Sequence, residues 1–343
     1  MEVTILLAKD TPDVIHQAAQ LLKQGELVAF PTETVYGLGA DAENAQAVQK
    51  IFAVKSRPLT QPLSVLIPDA TALSRWSQAV SPAAYLLAQA FWPGPLTLIV
   101  PPAEQVLDLL TAGQPGIGLR VPRHPTAQAL LKSFGAAIAA PSANLSMQFS
   151  PTCAMHVQRQ LGDKIPLIVD GGACALGLES TVLDLTSRTP CVLRIGAISV
   201  LAIQAVLQQP VDSTIWKKST LEKRPGCFSQ LKLQPVSAER FMATVAQQCE
   251  GELRFAVLAR RPAPEQQAHN VLWVMMPEAA IDYQRCFYAK LQQLVLEGYT
   301  EVLIEALPDT DAWEGLRSSI DRFSQNPIVA ERVTESIVEE RNG

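Results

Sequence analysis

The sequence lacks the motifs by which several enzyme classes are recognised. It contains no GxxxxGK[ST] P-loop, no GxSxG, no HExxH and no protein-kinase signature. These absences exclude the familiar phosphate-binding loop, the α/β-hydrolase nucleophile and the zinc-peptidase helix. A GxGxxG pattern is also missing from the C-terminal half, so nothing there indicates a nucleotide site of that kind.

Cysteine and histidine are few and scattered. The six cysteines contain no CxxC pair, which indicates reduced and mostly buried thiols. The four histidines lie far apart in the sequence, which argues against a histidine-based metal site. Chemistry by a Cys or His nucleophile is therefore not indicated.

Long hydrophobic runs and a net positive charge are also missing. No apolar run approaches the ~18 residues of a membrane span, and the N-terminal segment does not resemble a secretory signal. We therefore expect a cytoplasmic protein without membrane association. The net charge of −5 argues against a broad nucleic-acid surface, although it allows a local basic cleft.

What the sequence does have is an informative stretch from Leu27 to Arg57. A short apolar strand (Leu27–Phe30) is followed by a hydroxyl-rich turn (Thr32–Thr34). A helix that starts at Asn44 then brings three cations together near its end: Lys50, Lys55 and Arg57. This layout suits an anionic, phosphate-bearing ligand. A strand–turn–helix unit with a solvated basic end explains it equally well.

Tyr36 to Gly39 contains two glycines directly after this turn. Glycine suits backbone that bends tightly or that approaches another group closely. The sequence does not decide between these two uses.

A second group of polar residues follows the small-residue strand Ala136–Ala140. Ser142 and Asn144 come directly after it, and Ser150 or Thr152 is expected to begin a helix that ends near Leu161. Polar groups at strand ends are where open α/β sheets bind ligands. Ordinary turn formation and helix capping explain the same residues.

Arg120 lies inside the apolar strand Ile117–Val121 and needs a partner, because a buried unpaired guanidinium is costly. That partner is either a structural carboxylate or the carboxylate of a ligand, and both remain open. Ser180 and Arg194 stand at the ends of two later strands. Cations and hydroxyls of this kind favour catalysis by charge stabilisation.

The chain is long enough for two domains, and 48% of its residues are hydrophobic. We predict a first domain over residues 1–208, a linker over 209–236 and a second domain over 237–343. The linker is rich in proline and basic residues: Lys217, Lys218, Lys223, Arg224 and Lys232. Strands and helices alternate after it, which predicts a small parallel α/β domain.

Six separated motifs carry a resemblance to a known family. PTETVYGLG, KSRP, PSANLS, SPT, LESTV and LRIGAI occur in this order within about Ile5–Leu207. In this order and spacing they resemble the YrdC-type threonylcarbamoyl-AMP synthase family, in its two-domain form. The resemblance implies an α/β fold with a twisted, mostly mixed sheet and flanking helices, plus a smaller Rossmann-like parallel domain. Tyr283–Leu291 resembles a helix of that second domain.

The resemblance also implies an activity. L-Threonine, bicarbonate and ATP would give threonylcarbamoyl-adenylate and pyrophosphate, so that the enzyme is a nucleotidyltransferase. Mg²⁺ would accompany ATP and be held mainly by its phosphates, without a metal site in the protein. Other proteins would transfer the product to the tRNA adenosine beside the anticodon, and direct tRNA contact would be weak at most.

Matching the motifs residue by residue implies a set of site residues. Lys55 and Arg57 would be catalytic and neutralise the phosphates. ATP would be bound by these two residues together with Lys50, Gln61, Ser142, Asn144, Ser150 and Arg194. Threonine would be bound by Thr34, Tyr36, Arg120 and Ser180, with Arg120 pairing its carboxylate.

The sequence departs from the family pattern in several places. The linker stretch Arg224–Pro235 keeps a Pro-Gly pair and a final proline but lacks the family's His-Tyr pair, whose tyrosine reaches back over the active site in the family. Gln61, Leu66, Met147 and Ile195 stand where asparagine, histidine, glycine and proline are common.

Two other functions remain as alternatives. An RNA-binding module without catalysis could use a concave basic surface and the basic linker. A carbamoyl-transfer enzyme of another pathway is the third hypothesis, because YrdC-type domains also occur in hydrogenase-maturation proteins. Those proteins carry acylphosphatase and zinc-finger segments, neither of which this sequence shows.

Overall fold

Residues 6–213 and 231–324 are described by the computed structural model, and their strands form two sheets. The first sheet contains ten strands in the order β1-β8-β2-β3-β7-β4-β6-β5-β9-β10. Its strands are β1 (Leu6–Lys9), β2 (Val28–Phe30), β3 (Gly37–Asp41), β4 (Ser64–Leu66), β5 (Leu96–Val100), β6 (Ile117–Arg120), β7 (Ile138–Ala139), β8 (Leu167–Asp170), β9 (Thr181–Asp184) and β10 (Cys191–Arg194). The sheet contains both parallel pairs, such as β2–β8, and antiparallel pairs, such as β2–β3, which confirms the predicted mixed sheet.

Within residues 6–213, helices lie between these strands and after the last one: α1 (Pro12–Lys23), α2 (Ala45–Lys55), α3 (Leu73–Trp76), α4 (Pro82–Phe91), α5 (Asp108–Thr111), α6 (Pro125–Phe134), α7 (Ala154–Leu161) and, after β10, α8 (Val200–Leu207). The side chains of Thr11 and Asn44 accept hydrogen bonds from the first turns of α1 and α2, as an N-cap should. The predicted start of α7 was wrong, because that helix begins after Cys153 rather than at Ser150 or Thr152.

The glycines after the hydroxyl-rich turn lie within strand β3, which pairs antiparallel with β2. A Cβ at Gly39 would lie 2.7 Å from the Phe30 ring and 2.9 Å from Cγ2 of Ile138. Close approach, rather than tight bending, therefore explains why glycine is needed at this position.

The second sheet is parallel, with four strands in the order β11-β14-β12-β13. Its strands are β11 (Lys232–Val236), β12 (Phe255–Ala259), β13 (Val271–Met275) and β14 (Glu301–Glu305), and its helices are α9 (Phe241–Cys249), α10 (Ala280–Leu296) and α11 (Glu314–Ser324). Short 3₁₀ turns lie at Ala70–Ala72, Gly162–Lys164 and Asp311–Trp313. The parallel strands and the helices between them confirm the predicted small parallel α/β unit.

The predicted linker is too long at its C-terminal end, because Lys232–Val236 pairs in register with Glu301–Glu305 as a strand. We propose that the second domain includes this strand. Lys217, Lys218, Lys223 and Arg224, with most of the stretch that departs from the family, lie outside the described residues. In the two described ranges, no helix has the length and apolar character of a membrane span.

Candidate active site

The side chain of Arg120, at the end of β6, forms hydrogen bonds with the turn that follows β2. Its Nη2 lies 2.7 Å from Oε1 of Glu33, its Nη1 donates to Oγ1 of Thr34 at 3.0 Å, and its Nε donates to the Gly94 carbonyl at 3.1 Å. The side chains of Glu33 and Arg120 are only 6% and 8% exposed. The structure thus brings together Arg120 and Thr34, two of the predicted threonine-binding residues.

Glu33 is the structural carboxylate that the sequence left open as a partner for Arg120. Its second oxygen, Oε2, accepts the Arg123 backbone N–H at 2.9 Å. Burial alone would raise the pKa of Glu33, but the charge and hydrogen bond of Arg120 and the Arg123 amide lower it overall. A guanidinium has five N–H donors, so Arg120 retains donor capacity beyond these protein contacts.

Tyr36 is fully buried, and its hydroxyl donates to the Gly172 carbonyl at 2.7 Å. Burial raises the pKa of this hydroxyl, and the nearby Cys174 and Asp170 act in the same direction. The structure therefore directs the Tyr36 hydroxyl towards the loop after β8 and not towards Arg120. Tyr36 thus shares this segment with Thr34 while its hydroxyl is bonded to the protein, and threonine binding by Tyr36 stays a prediction.

Lys55 ends α2 and is buried beneath the loop that follows β7. Its ammonium donates to the carbonyl oxygens of Ser142 and Asn144, and its own carbonyl accepts the Ser146 N–H at 2.8 Å. Burial lowers the pKa of Lys55 well below its ordinary value, and the charge of Arg57 lowers it further. The two carbonyls account for two of the three N–H groups of the ammonium. Hydrogen bonds of Lys55 thus hold the KSRP motif against the PSANLS motif.

The other two predicted residues of this segment, Arg57 and Gln61, are close together. Arg57 donates from Nη2 to the Pro62 carbonyl at 2.8 Å and from Nε to the Gln61 carbonyl at 3.4 Å. These bonds fix the turn after α2. The charge of Arg57 lowers the pKa of Lys55, because the two side chains lie near each other.

Lys50 is bonded to protein groups near the start of β2, and its predicted phosphate contact stays a prediction. Its ammonium lies 2.7 Å from Oε1 of Glu26 and donates to the Gly25 carbonyl at 2.9 Å. Lys50 and Lys55 are five residues apart on α2, which turns their side chains about 140° away from each other. Lys50 therefore faces the start of β2, whereas Thr34 follows its end.

Ser180 and Arg194 form a third group, at the ends of β9 and β10. Arg194 donates from Nε to the Ser180 carbonyl at 2.9 Å and from Nη2 to the Ser180 hydroxyl at 3.0 Å. The same hydroxyl lies 2.8 Å from Oγ1 of Thr97, in β5. The structure therefore pairs a predicted threonine-binding residue with a predicted ATP-binding residue.

Ser150 donates to Oε1 of Glu179 at 2.8 Å, and the other carboxylate oxygen of Glu179 contacts the second domain. Oε2 accepts the Tyr288 hydroxyl at 2.8 Å and Nη2 of Arg322 at 3.2 Å. Burial alone would raise the pKa of Glu179, but the charges of Arg322 and Arg194, with hydrogen bonds from Tyr288 and Ser150, lower it to about 2.

Backbone hydrogen bonds connect the three groups of predicted site residues. These groups are Arg120 with Thr34, Lys55 with Arg57, and Ser180 with Arg194. The Tyr36 N–H donates to the Pro151 carbonyl, and the Tyr36 carbonyl accepts from Ala143, each at 2.8 Å. Gly94 accepts from Arg120, and the adjacent Pro95 carbonyl accepts the Thr181 N–H at 3.0 Å. The loops that carry the six motifs are thus held to one another.

Among the residues where the sequence departs from the family pattern, Met147 has a visible physical consequence. It adopts φ = 72°, a conformation that favours glycine, which is the residue that the family commonly has at this position. Leu66 lies buried in β4, and Ile195 is buried directly after β10.

No metal-binding group emerges from the described ranges: within 6–213 and 231–324, no three Asp, Glu, His or Cys side chains are placed to hold a metal ion. Glu33, the carboxylate beside Arg120 and Thr34, uses both of its oxygens on protein donors. The groups that the structure offers to a ligand are cations, hydroxyls and amides.

Sequence reasoning missed four contributors: Glu33, Glu179, Tyr288 and Arg322. Glu33 and Glu179 lie inside recognised motifs, and a carboxylate in an apolar segment is itself a signal that a cation must lie nearby. Tyr288 and Arg322 are 109 and 143 residues from Glu179, so no local pattern indicated their contact.

Comparison with known proteins gives a consistent result. The family model Sua5_yciO_yrdC, described as Telomere recombination, matches residues 20–196. A threonylcarbamoyl-AMP synthase from Bacillus subtilis (strain 168) is 47% identical over 208 residues, which is 60% of this chain and 60% of that protein. One from Pyrococcus abyssi is 42% identical over 214 residues, 62% of this chain and 63% of that protein. The chain therefore spans less than two thirds of the length of these curated relatives.

The similarity in structure extends further along the chain. The crystal structure of Pyrococcus abyssi Sua5 complexed with L-threonine matches with a TM-score of 0.84 and 29% identity, covering 94% of this chain and 97% of that one. This match includes the second sheet as well as the first.

Proposed function

Because this chain belongs to the Sua5/YciO/YrdC family, we propose that it is a threonylcarbamoyl-AMP synthase. The observation that carries the proposal is the buried Glu33–Arg120–Thr34 group, in a fold that matches the L-threonine complex over most of its length. The substrates would be L-threonine, bicarbonate and ATP. The product would serve threonylcarbamoylation of tRNA next to the anticodon by other proteins, which implies a cytoplasmic location.

Threonine would bind at Arg120 and Thr34. The guanidinium, fixed by Glu33 and Gly94, offers its remaining N–H groups to the amino-acid carboxylate. Ser180 directly precedes β9, which is separated from β6 by β5, and it would complete this part of the site. A site that hydrogen-bonds the threonine hydroxyl would reject analogues that lack it, because its own polar groups would be left unpaired.

ATP would bind across the group around Lys55 and Arg57 and the group around Ser180 and Arg194. Lys55 and Arg57 would neutralise the phosphates, with Gln61 in the same turn. Ser142, Asn144, Ser150 and Arg194 would hold the nucleoside and the α-phosphate. Oδ1 of Asn144 is a buried acceptor without a hydrogen-bond partner among the described residues, which suits a donor such as a ribose hydroxyl.

ATP would enter as its Mg²⁺ complex, with the ion carried by phosphate oxygens. This fits the donor set, in which Glu33 and Glu179, the carboxylates bonded to Arg120 and to Ser150, are already engaged by arginines. The metal supplies charge neutralisation of the triphosphate when it is bound.

The reaction would proceed in two steps. The threonine amine and bicarbonate form a carbamate with loss of water. A carbamate oxygen then forms a bond to the α-phosphorus of ATP, and the bond from that phosphorus to the bridging oxygen of the β-phosphate breaks, so that pyrophosphate leaves. Lys55, Arg57 and Arg194 would stabilise the negative charge that develops on the phosphates.

The proposal is tested by pyrophosphate release from purified full-length protein with each substrate omitted in turn. We expect release only when ATP, L-threonine and bicarbonate are all present. Release without threonine would indicate an ATP pyrophosphohydrolase. RNA binding with a steep salt dependence but no pyrophosphate release would favour the RNA-binding alternative.

A further inference from the structure

The carboxylate of Glu179 connects the second domain to the predicted nucleotide-binding residues. One oxygen accepts from the Ser150 hydroxyl, and the other accepts from Tyr288 on α10 and Arg322 on α11. Tyr288 and Arg322 also contact each other, at 3.0 Å. The four side chains form one hydrogen-bonded group, which we call the Glu179 cluster.

The backbone next to the Glu179 cluster belongs to the active site. Ser180 follows Glu179 directly and accepts both hydrogen bonds from Arg194. A Cβ at Gly196 would collide with the carbonyl oxygens of Glu179 and Ser180, so these segments are in close contact. A shift of Glu179 would therefore move Ser180 and Arg194.

Helices α10 and α11 pack tightly on this backbone. Gln292 donates to the Ser150 carbonyl at 2.9 Å, and the Phe149 ring contacts the rings of Tyr288 and Phe323 at centroid distances of 6.3 and 4.9 Å. A Cβ at Gly315 would collide with the Gly196 carbonyl oxygen. The second domain thus supports both sides of Ser150, through its hydroxyl and its carbonyl.

The charges explain why an arginine from the second domain matters. The Glu179 side chain is only 12% exposed, so it requires a cationic partner. Arg322 supplies that partner through a direct contact, and Arg194 is the next cation in its electrostatic surroundings. With Arg322 in place, Arg194 is bonded to Ser180 rather than to Glu179. Without Arg322, Arg194 would be the nearest cation left to pair with Glu179.

We propose that Tyr288 and Arg322 are positioning residues for ATP: by holding Glu179, they orient Ser150 and leave the Arg194 guanidinium for the nucleotide. The second domain then acts on the nucleotide site through the Glu179 cluster. This inference rests on the proposed function, because it assumes that Ser150 and Arg194 bind ATP.

The test compares Arg322→Met with Arg322→Lys and with a matched control, Arg285→Met. Arg285 lies on α10 and also bonds the first domain, donating to the Ala175 carbonyl at 3.0 Å, but it does not contact Glu179. For Arg322→Met we expect the KM for ATP to rise about tenfold, the size of one lost charge-assisted hydrogen bond. The KM for threonine should rise less, through the shift of Ser180. Arg322→Lys should recover part of this loss, and Arg285→Met should leave both KM values unchanged.

A second comparison isolates the charge. The double variant Glu179→Gln, Arg322→Met should bind ATP more tightly than Arg322→Met alone, because no carboxylate remains to attract Arg194. Tyr288→Phe, which keeps the ring packing, should weaken ATP binding more mildly. ATP affinity is measured by calorimetry as well, so that the comparison holds even if the wild-type protein makes no product, which would contradict the proposed function alone.

Three results would overturn the inference. These are an unchanged ATP affinity in Arg322→Met, an equal effect on threonine and ATP, or the same loss in Arg285→Met. Thermal unfolding of each variant establishes that it is folded under the assay conditions.

Discussion

The guanidinium of Arg120 lies 2.7 Å from the carboxylate of Glu33, and both side chains are buried. Replacing Glu33 by Gln leaves this buried guanidinium without its counter-charge. We expect a loss of about 3 kcal/mol in the free energy of unfolding, as for other broken buried ion pairs, measured by urea denaturation. Glu26→Gln, which breaks the exposed pair with Lys50, is the control and should cost less than about 1 kcal/mol. Equal losses in the two variants would contradict the buried pair.

The Glu179 cluster should make stability depend on pH. The pKa of Glu179 is lowered from 4.5 to about 2 in the folded protein, so the folded state favours the charged form. This contribution is fully present above about pH 5 and is lost as the pH falls from 4.5 towards 2. The stability advantage of the wild type over Glu179→Gln should therefore be constant from pH 8 to pH 6 and shrink below about pH 5. A constant difference down to pH 3 would show that Glu179 has an ordinary pKa.

Lys55 and Lys50 lie on the same helix but should differ in function. Lys55→Met removes the cation beneath the Ser142–Asn144 loop, and we expect kcat/KM for ATP to fall about 100-fold, the usual effect of removing one donor that stabilises developing charge. Lys50→Met removes only the surface contacts to Gly25 and Glu26 and should leave kcat/KM within about twofold. If Lys50→Met were as damaging as Lys55→Met, the result would support the sequence-based assignment of Lys50 to the phosphates.

Gly39 should not tolerate a side chain. Gly39→Ala would place a Cβ against the Phe30 ring and Ile138 in the sheet that carries the site, and we expect a loss of about 1–3 kcal/mol in unfolding free energy. Gly251→Ala is the control, because its new Cβ would meet only the Gln248 carbonyl oxygen, at an ordinary 3.4 Å. A neutral result at Gly39 would mean that β2 and β3 can separate easily.

Much of the fold follows from local signals in the sequence. The helix starts at Pro12, Ala45, Pro82 and Val200 were predictable because a Ser, Thr or Asn precedes each and caps it. Strand β3 was not predicted as a strand, because its glycines serve contact with Phe30, a tertiary effect. Strand β11 carries Pro235 and polar residues, and it is recognisable only from its pairing with β14.

The site was predictable as a set of motifs but not as a geometry. The sequence required a partner for Arg120 without identifying Glu33, because a carboxylate 87 residues away and a ligand satisfy the same need. Tyr36 and Lys50 belong to the right segment, yet their side chains are directed to other partners. The contribution of Arg322 depends on how the second domain packs, which no spacing within a motif encodes.

The most direct test of the account follows the carbon of bicarbonate. Purified protein is incubated with labelled bicarbonate, L-threonine and ATP, and the nucleotides are separated by chromatography and identified by mass. We predict an adenylate that carries the label and forms only when threonine and ATP are both present, at a rate that falls in Lys55→Met. AMP and pyrophosphate formed without any labelled adenylate would contradict the central claim that this site makes threonylcarbamoyl-AMP.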